Sequence, residues 1–271
     1  MVKQDERPQP LSPELYTEEY FLTACEGHAE FKETQGAHLS RRLAAAFRHA
    51  EVQPGMRVLD VGCGRGEILR HCARLGAEVF GVDYAPAALG LARDLVRQEL
   101  SRPIGLYQSD AKVLPFPAAT FDRVLMFDVV EHLHPWELDQ ALDAARRVLR
   151  PGGMVVVHTA PNRWYDAYAY PFVRALRTLL GQGEHYPANP RALNVAANVD
   201  VHVNEQDLLS LRGYLQRAGF RDIRVWLDSP PQDRREGPIL GALRWIAFEV
   251  PPFRWFFERE VFAVARKTYA G

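Results

Sequence analysis

The sequence predicts an α/β fold with a mostly parallel sheet, and three observations carry that reading. Residues 58–66, Val-Leu-Asp-Val-Gly-Cys-Gly-Arg-Gly, run an apolar strand and an acid into a loop with glycine at every second position. Residues 67–72 then read as the start of a helix. Further apolar runs follow at 77–83, 104–108, 121–127 and 150–158, interleaved with helical patterns, as expected of strands covered on both faces. A Pro-Gly-Gly turn at 151–153 punctuates the last of these runs.

The first element suggests the ligand class. A parallel strand that ends in a glycine loop and feeds a helix N-terminus lets a nucleotide-like molecule approach backbone N–H groups closely. Gly62, Gly64 and Gly66 follow G-x-G-x-G rather than the G-x-G-x-x-G of dinucleotide loops. The second element, 77–83, ends in Asp83, an acid placed to accept both hydroxyls of a ribose. Tyr84 follows and can pack on a base, and Pro86 suits the first turn of a helix through Leu89, Leu91, Ala92 and Leu95. The third element leads into Ser109-Asp110-Ala111, and the fourth runs from Phe121-Asp122 to Phe127-Asp128.

These five ordered segments, spanning 57–158, resemble class I S-adenosylmethionine-dependent methyltransferases of the type 11-like small-molecule family. The resemblance implies a Rossmann-like seven-stranded, mostly parallel sheet with helices on both faces and a lid insertion after the fifth strand. It also implies that S-adenosylmethionine is held by Tyr20, Asp60, Gly62, Gly64, Asp83, Tyr84, Asp110, Ala111 and Phe127. Asp110 matches the family acid that accepts a hydrogen bond from the adenine amino group. Tyr20 belongs to an aromatic entry, 16–21, that can cover the methionine end of the cofactor or anchor a helix. A nicotinamide dehydrogenase is not expected to show the Asp110 and Pro-Gly-Gly elements in this order.

Composition agrees with one generous domain. The chain has 271 residues, 47% of them hydrophobic and 25% charged, enough for a large core. With 33 basic and 34 acidic residues it has no global field to gather polyanions, so a nucleic-acid partner is not expected. Cys25, Cys63 and Cys72 lack a CxxC pair, which argues for a reducing compartment and no structural zinc. The first residues are polar, and no apolar run reaches 18 residues, so the expected location is the cytoplasm with no transmembrane segment.

Four parts are expected: an N-terminal arm and helical cap (1–50), the cofactor-binding core (51–160), a substrate lid (161–203) and the C-terminal part of the sheet (204–271). The Pro-rich start reads as a loose arm, and 15–50 as helical with Leu39, Leu43, Ala46 and Phe47 on one face. The lid carries Trp164, Tyr165, Tyr168, Tyr170 and an amphipathic basic stretch at 172–180. Loops of this length are either functional or disordered. Helix is expected from 205 to 215, then a strand at 223–227. The aromatic tail, 238–269, is read as a helix and an edge hairpin strand at 260–266, with membrane-surface contact the lesser reading.

For the chemistry, the residues past the fourth strand matter most. A sulfonium is already a good leaving group, so the protein has to align a nucleophile and take its proton. His132 is the expected base, with Glu131 beside it. His158 is a spare candidate, read more readily as a hydrogen-bonded strand end. Asp128, Glu131, His132 and His202 also resemble the E-x-x-E-H…H metal pattern of small-RNA 2′-O-methyltransferases and ubiquinone-pathway O-methyltransferases. Aspartate replaces glutamate at its first position, so a divalent metal is not the expectation. The expected function is methylation, mainly at oxygen, of a glycosidic, phenolic, polyketide-like or lipid-linked acceptor. The alternatives are a non-catalytic cofactor-binding subunit or a metal-dependent RNA 2′-O-methyltransferase. Oligomeric state is not legible in the sequence.

Overall fold

The structure is a computed structural model and describes residues 7–97, 104–193, 197–228 and 245–268. Seven strands form one sheet: β1 (Arg57–Val61), β2 (Glu78–Asp83), β3 (Gly105–Gln108), β4 (Phe121–Phe127), β5 (Leu149–Thr159), β6 (Arg221–Asp228) and β7 (Glu260–Arg266). Their order is β3-β2-β1-β4-β5-β7-β6. The β1–β2, β2–β3, β1–β4 and β4–β5 pairs are parallel, whereas β7 runs antiparallel to both β5 and β6. The order reverses beside β1, and that switch point opens a crevice at the carboxyl ends of the strands.

Strand alternation builds two cores. Leu59, Val124, Met126, Val155 and Val157 face one side with Leu138, Leu142, Leu211 and Leu215. Val58, Leu125, Met154 and Val156 face the other with Leu43, Ala46, Ile68, Leu69 and Leu89. The period of two along each strand sends neighbours to opposite layers. Burial of each such leucine contributes about 1.5–3 kcal/mol. The helices that supply the layers are α1 (Glu18–Thr23), α2 (His28–Thr34), α3 (Arg41–Arg48), α4 (Glu67–Arg74), α5 (Pro86–Arg97), α6 (Pro135–Val148), α7 (Tyr170–Leu179), α8 (Asn198–Val201) and α9 (Leu208–Arg217).

Several expectations change in detail. The helical stretch 15–50 divides into α1, α2 and α3, because Gly27 and Gln35 take left-handed conformations at the ends of α2. The N-terminal arm is not loose from Pro8 onward: the Trp136 indole donates to the Pro8 carbonyl at 3.1 Å, and Pro10 and Leu11 line the crevice. The Pro-Gly-Gly segment lies inside β5, where the register against β4 shifts. Helix α9 starts three residues later than the pattern suggests, because Asp207 and Ser210 form a capping box. Gly219 follows with φ +80°, the left-handed stop expected of the Ala-Gly-Phe ending.

The excursion between β5 and α9 holds a π-helical turn (Tyr165–Ala169), α7 and α8. Helix α7 coincides with the amphipathic basic stretch. Strand β7 forms at the expected residues and in an antiparallel arrangement, but it is not the edge: it pairs with both β5 and β6, so β6 is the edge strand; the short helix Phe253–Phe257 precedes β7. Of the aromatic tail, residues 238–244 and Tyr269 lie outside the described residues. Among the described residues no helix is long and apolar enough to cross a membrane.

Candidate active site

A cleft of about 240 Å³ opens over the carboxyl ends of the strands. Every residue assigned to the site from sequence lines it: Tyr20, Asp60, Gly62, Gly64, Asp83, Tyr84, Asp110, Ala111, Phe127, Asp128, Glu131, His132 and His202. Strand order arranges them. Asp110 follows β3, Asp83 ends β2, the glycine loop follows β1, and Asp128 to His132 follow β4.

At the glycine loop, Asp83 accepts the Gly64 N–H at 3.0 Å and the Ala85 N–H at 2.9 Å. Burial pushes its carboxyl up to about 6 against the pull of these N–H donors. Asp60 is also buried, and burial, then Asp83 and Glu67, raise its pKa well above the usual carboxylate range. Gly62 has φ +72°, and a Cβ there would lie 2.4 Å from Val129 Cγ2. The loop therefore interlocks with the turn that carries Glu131 and His132. Arg65, which the sequence reading leaves unassigned, secures the loop from the other side. Its guanidinium donates to Glu67 at 2.9 Å and to the carbonyls of Phe21 and Glu26, joining the loop to α1 and the α1–α2 turn.

Asp110 is already engaged. It accepts the Lys112 N–H at 2.9 Å and the Lys112 ammonium at 2.6 Å, and that ammonium also reaches Glu137 at 2.5 Å. An adenine amino group would share this carboxylate with Lys112.

His132 lies in an aromatic enclosure. Its Nδ1 is 3.0 Å from the Val201 carbonyl and 3.1 Å from the Tyr16 hydroxyl. A carbonyl only accepts, so Nδ1 carries the hydrogen and Nε2 keeps its lone pair. The Tyr16 hydroxyl is free to donate to Tyr84, with which it is hydrogen-bonded. Burial lowers His132 to about 4, against the Val201 hydrogen bond and the Asp128 charge, so the ring is neutral at ordinary pH. His202 packs edge-on at 5.0 Å. Burial and then the His132 ring lower it to about 3, and its Nδ1 is buried without a hydrogen bond.

Glu131 is almost fully buried and accepts the Thr159 hydroxyl at 2.8 Å. Burial, then the charge of Asp128, lift its carboxyl well above the usual carboxylate range. Its backbone carbonyl accepts the N–H groups of Val203 and Asn204, which returns the chain from the excursion to the site.

The metal candidates separate. Ligand atoms of Glu131, His132 and His202 lie within 4.8 Å of one another. Asp128 is not in that cluster: it takes φ +52° and pairs with Arg42 at 3.2 Å and His158 Nδ1 at 2.9 Å. The His158 and Arg42 charges hold its carboxyl well below the usual range despite burial. His158 is not a spare base. It is fully buried between Asp128 and Glu260, the latter at 2.7 Å from Nε2. Burial opposes its protonation, but the two carboxylates lift it to about 9. Position alone suggests His158 as a base, and its partner Glu260 is 102 residues away.

A family model described as "Methyltransferase domain" matches residues 59–157. A ubiquinone biosynthesis O-methyltransferase of Cereibacter sphaeroides is 34% identical over 142 residues, which cover 51% of this chain and 56% of the relative. The chain thus spans about half the length of the curated relatives it matches. A SAM-dependent methyltransferase from Archaeoglobus fulgidus superposes with TM-score 0.57 at 19% identity, covering 88% of this chain and 98% of the other. The [4+2]-cyclase SpnF superposes with TM-score 0.55 at 19% identity, covering 88% and 86%, so the same fold also carries a different reaction. Residues 59–157 thus match a methyltransferase domain, and the chain has the fold of the solved methyltransferase on which it superposes.

Proposed function

We propose that the protein methylates a hydroxyl of a small or medium-sized acceptor, with His132 as the general base. The observation that carries this reading is the Val201 carbonyl on His132 Nδ1, which leaves a neutral, lone-pair-bearing Nε2 in the cleft beside the glycine loop. The O-methyltransferase names of the relatives support transfer to oxygen, and a phenolic acceptor is the simplest member of that class.

The residues fit S-adenosylmethionine. Buried Asp83 suits a ribose diol, the left-handed loop leaves room for close approach, and Tyr20 and Phe127 supply flanking apolar surface. Bound there, the cofactor supplies a methyl group on a sulfonium and departs as the neutral thioether. The chain's own part is to align the acceptor oxygen and exclude water under Tyr16, Tyr20 and Tyr84. His132 Nε2 takes the acceptor proton as the new O–C bond forms. Burial biases Glu131 toward its neutral form, which limits the negative charge beside the nucleophile. The excursion at 161–203 acts as the acceptor lid in this reading.

A second reading has one specific observation behind it. Glu131, His132 and His202 converge, and His202 Nδ1 is a buried nitrogen with no hydrogen bond. Such a set fits a divalent ion that orients a diol.

The deciding experiment is calorimetric titration of wild type and Asp83→Ala with S-adenosylmethionine and S-adenosylhomocysteine, followed by a phenol panel with wild type and His132→Ala. Saturable cofactor binding that vanishes in Asp83→Ala, with turnover lost only in His132→Ala, supports the proposal. Intact affinity in Asp83→Ala, or full turnover in His132→Ala, sinks it.

A further inference from the structure

Strand order extends the cleft beyond His132. After Asp83 on β2 and Glu131–His132 past β4 come Ala160 and Pro161 past β5, then Arg259 at the entry to antiparallel β7. All of them line the same cleft. Arg259 therefore sits at the acceptor end, with the base between it and the cofactor acids.

Its electrostatic setting is unusual. Nearby arginines each meet a carboxylate: Arg42 meets Asp128, Arg163 meets Asp207, Arg191 meets Glu205 and Arg254 meets Glu258. Arg259 has no such ion pair among the described residues. Its guanidinium instead lies over the Tyr165 ring at 5.0 Å, and its Nε is buried without a hydrogen bond. Asp166 feels the Arg259 charge but forms no ion pair with it. Glu260, the next residue, is engaged by Arg42 and His158. The backbone is fixed, since the Asn162 N–H donates to the Arg259 carbonyl at 2.8 Å.

A half-buried guanidinium with no ion pair among the described residues, held on an aromatic face in a cleft, is a poor structural element. Burying a charge is favourable only when it is paired and hydrogen-bonded. As an anion receptor it is well made, because the planar fork matches a carboxylate with two parallel N–H···O bonds and the ring orients it. We propose that Arg259 is a specificity residue that binds a carboxylate carried by the methyl acceptor. This inference rests on the methyl-transfer reading above and narrows the acceptor to an aromatic acid or a comparable hydroxy acid. A single guanidinium complements a monoanionic carboxylate better than a phosphate dianion.

The test is calorimetry on the full chain saturated with S-adenosylhomocysteine, titrated with 3,4-dihydroxybenzoate, 4-hydroxybenzoate and the methyl ester of each. Wild type should bind at least one acid about tenfold more tightly than its ester. Arg259→Met should bring that ratio to within about twofold while leaving the S-adenosylhomocysteine and ester affinities unchanged. Arg259→Lys should retain part of the preference, because it keeps the charge and loses the fork. Equal binding of acid and ester by wild type, no binding of any acid, or a preference that survives in Arg259→Met overturns the inference. Failure of wild type to bind S-adenosylhomocysteine at all would instead strike the methyl-transfer reading.

Discussion

The two ends of the cleft are built differently. At the end proposed for the cofactor, the glycine loop and its two acids belong to contiguous strand–loop–helix units: Asp60 and the glycines at the β1–α4 junction, and Asp83 at the β2–α5 junction. At the acceptor end, every contact joins distant segments. Thr159 meets Glu131 across 28 residues, Val201 meets His132 across 69, and Glu260 meets His158 across 102. The first end is a local motif set on a sheet. The second is a product of the order in which β4, β5 and β7 lie side by side.

The contrast can be broken in order of expected effect. His132→Ala should lower turnover by roughly 10²–10⁴-fold with cofactor affinity intact, measured by methyl transfer and calorimetry. In wild type the acid limb of the rate profile should fall near pH 4 rather than 6.5, because the buried ring is held neutral. A limb near 6.5 would mean that the base is another group or a more exposed ring.

Next is His158→Ala, which leaves Asp128 and Glu260 buried without their shared imidazolium. It should cost about 3–5 kcal/mol of unfolding free energy in urea denaturation. The folded imidazolium titrates near 9 against about 6.5 when unfolded, so the folded state binds this proton more tightly. That contribution is complete below about pH 6.5 and is lost as pH rises through 9. The difference in melting temperature between wild type and His158→Ala should shrink over that interval; a constant difference would show that packing alone sets the cost.

Gly62→Ala tests the join between the two ends. The left-handed φ and the overlap with Val129 should together destabilise the fold by about 2–4 kcal/mol. Cofactor affinity should fall with it. Val129→Ala in the same background should restore part of the loss, and no rescue would mean that the backbone conformation dominates.

The smallest expected effect is that of chelation. Exhaustive EDTA treatment should leave turnover unchanged if His132 acts as a free base. Loss of turnover restored by Mg²⁺ or a transition ion would transfer Glu131, His132 and His202 to the metal reading.

Much of the cofactor end is legible in the sequence, since an apolar run, an alternating glycine loop and a strand-end acid are neighbours in the chain. The same holds for β7 as a strand, though not for its place inside the sheet between β5 and β6, and for Gly219 as a helix stop. His132 is legible as a candidate base by its place after β4, but its tautomer is not, because Val201 and Tyr16 arrive from other segments. Asp128 looks like a metal ligand by spacing and is an ion-pair partner in the fold, because spacing carries no information about Arg42 or His158. Arg259 gives no sequence signal: arginine before a strand is ordinary until it is seen over the Tyr165 ring with no ion pair among the described residues. By itself the sequence determined the strand–loop–helix units and the ligand class, because hydrophobic period, glycine freedom and acid placement act over a few residues. Only the tertiary structure decided which charges are paired, which nitrogen of His132 is free and which arginine lines the cleft. Burial and Coulomb energy depend on distances in space that the order of residues does not contain.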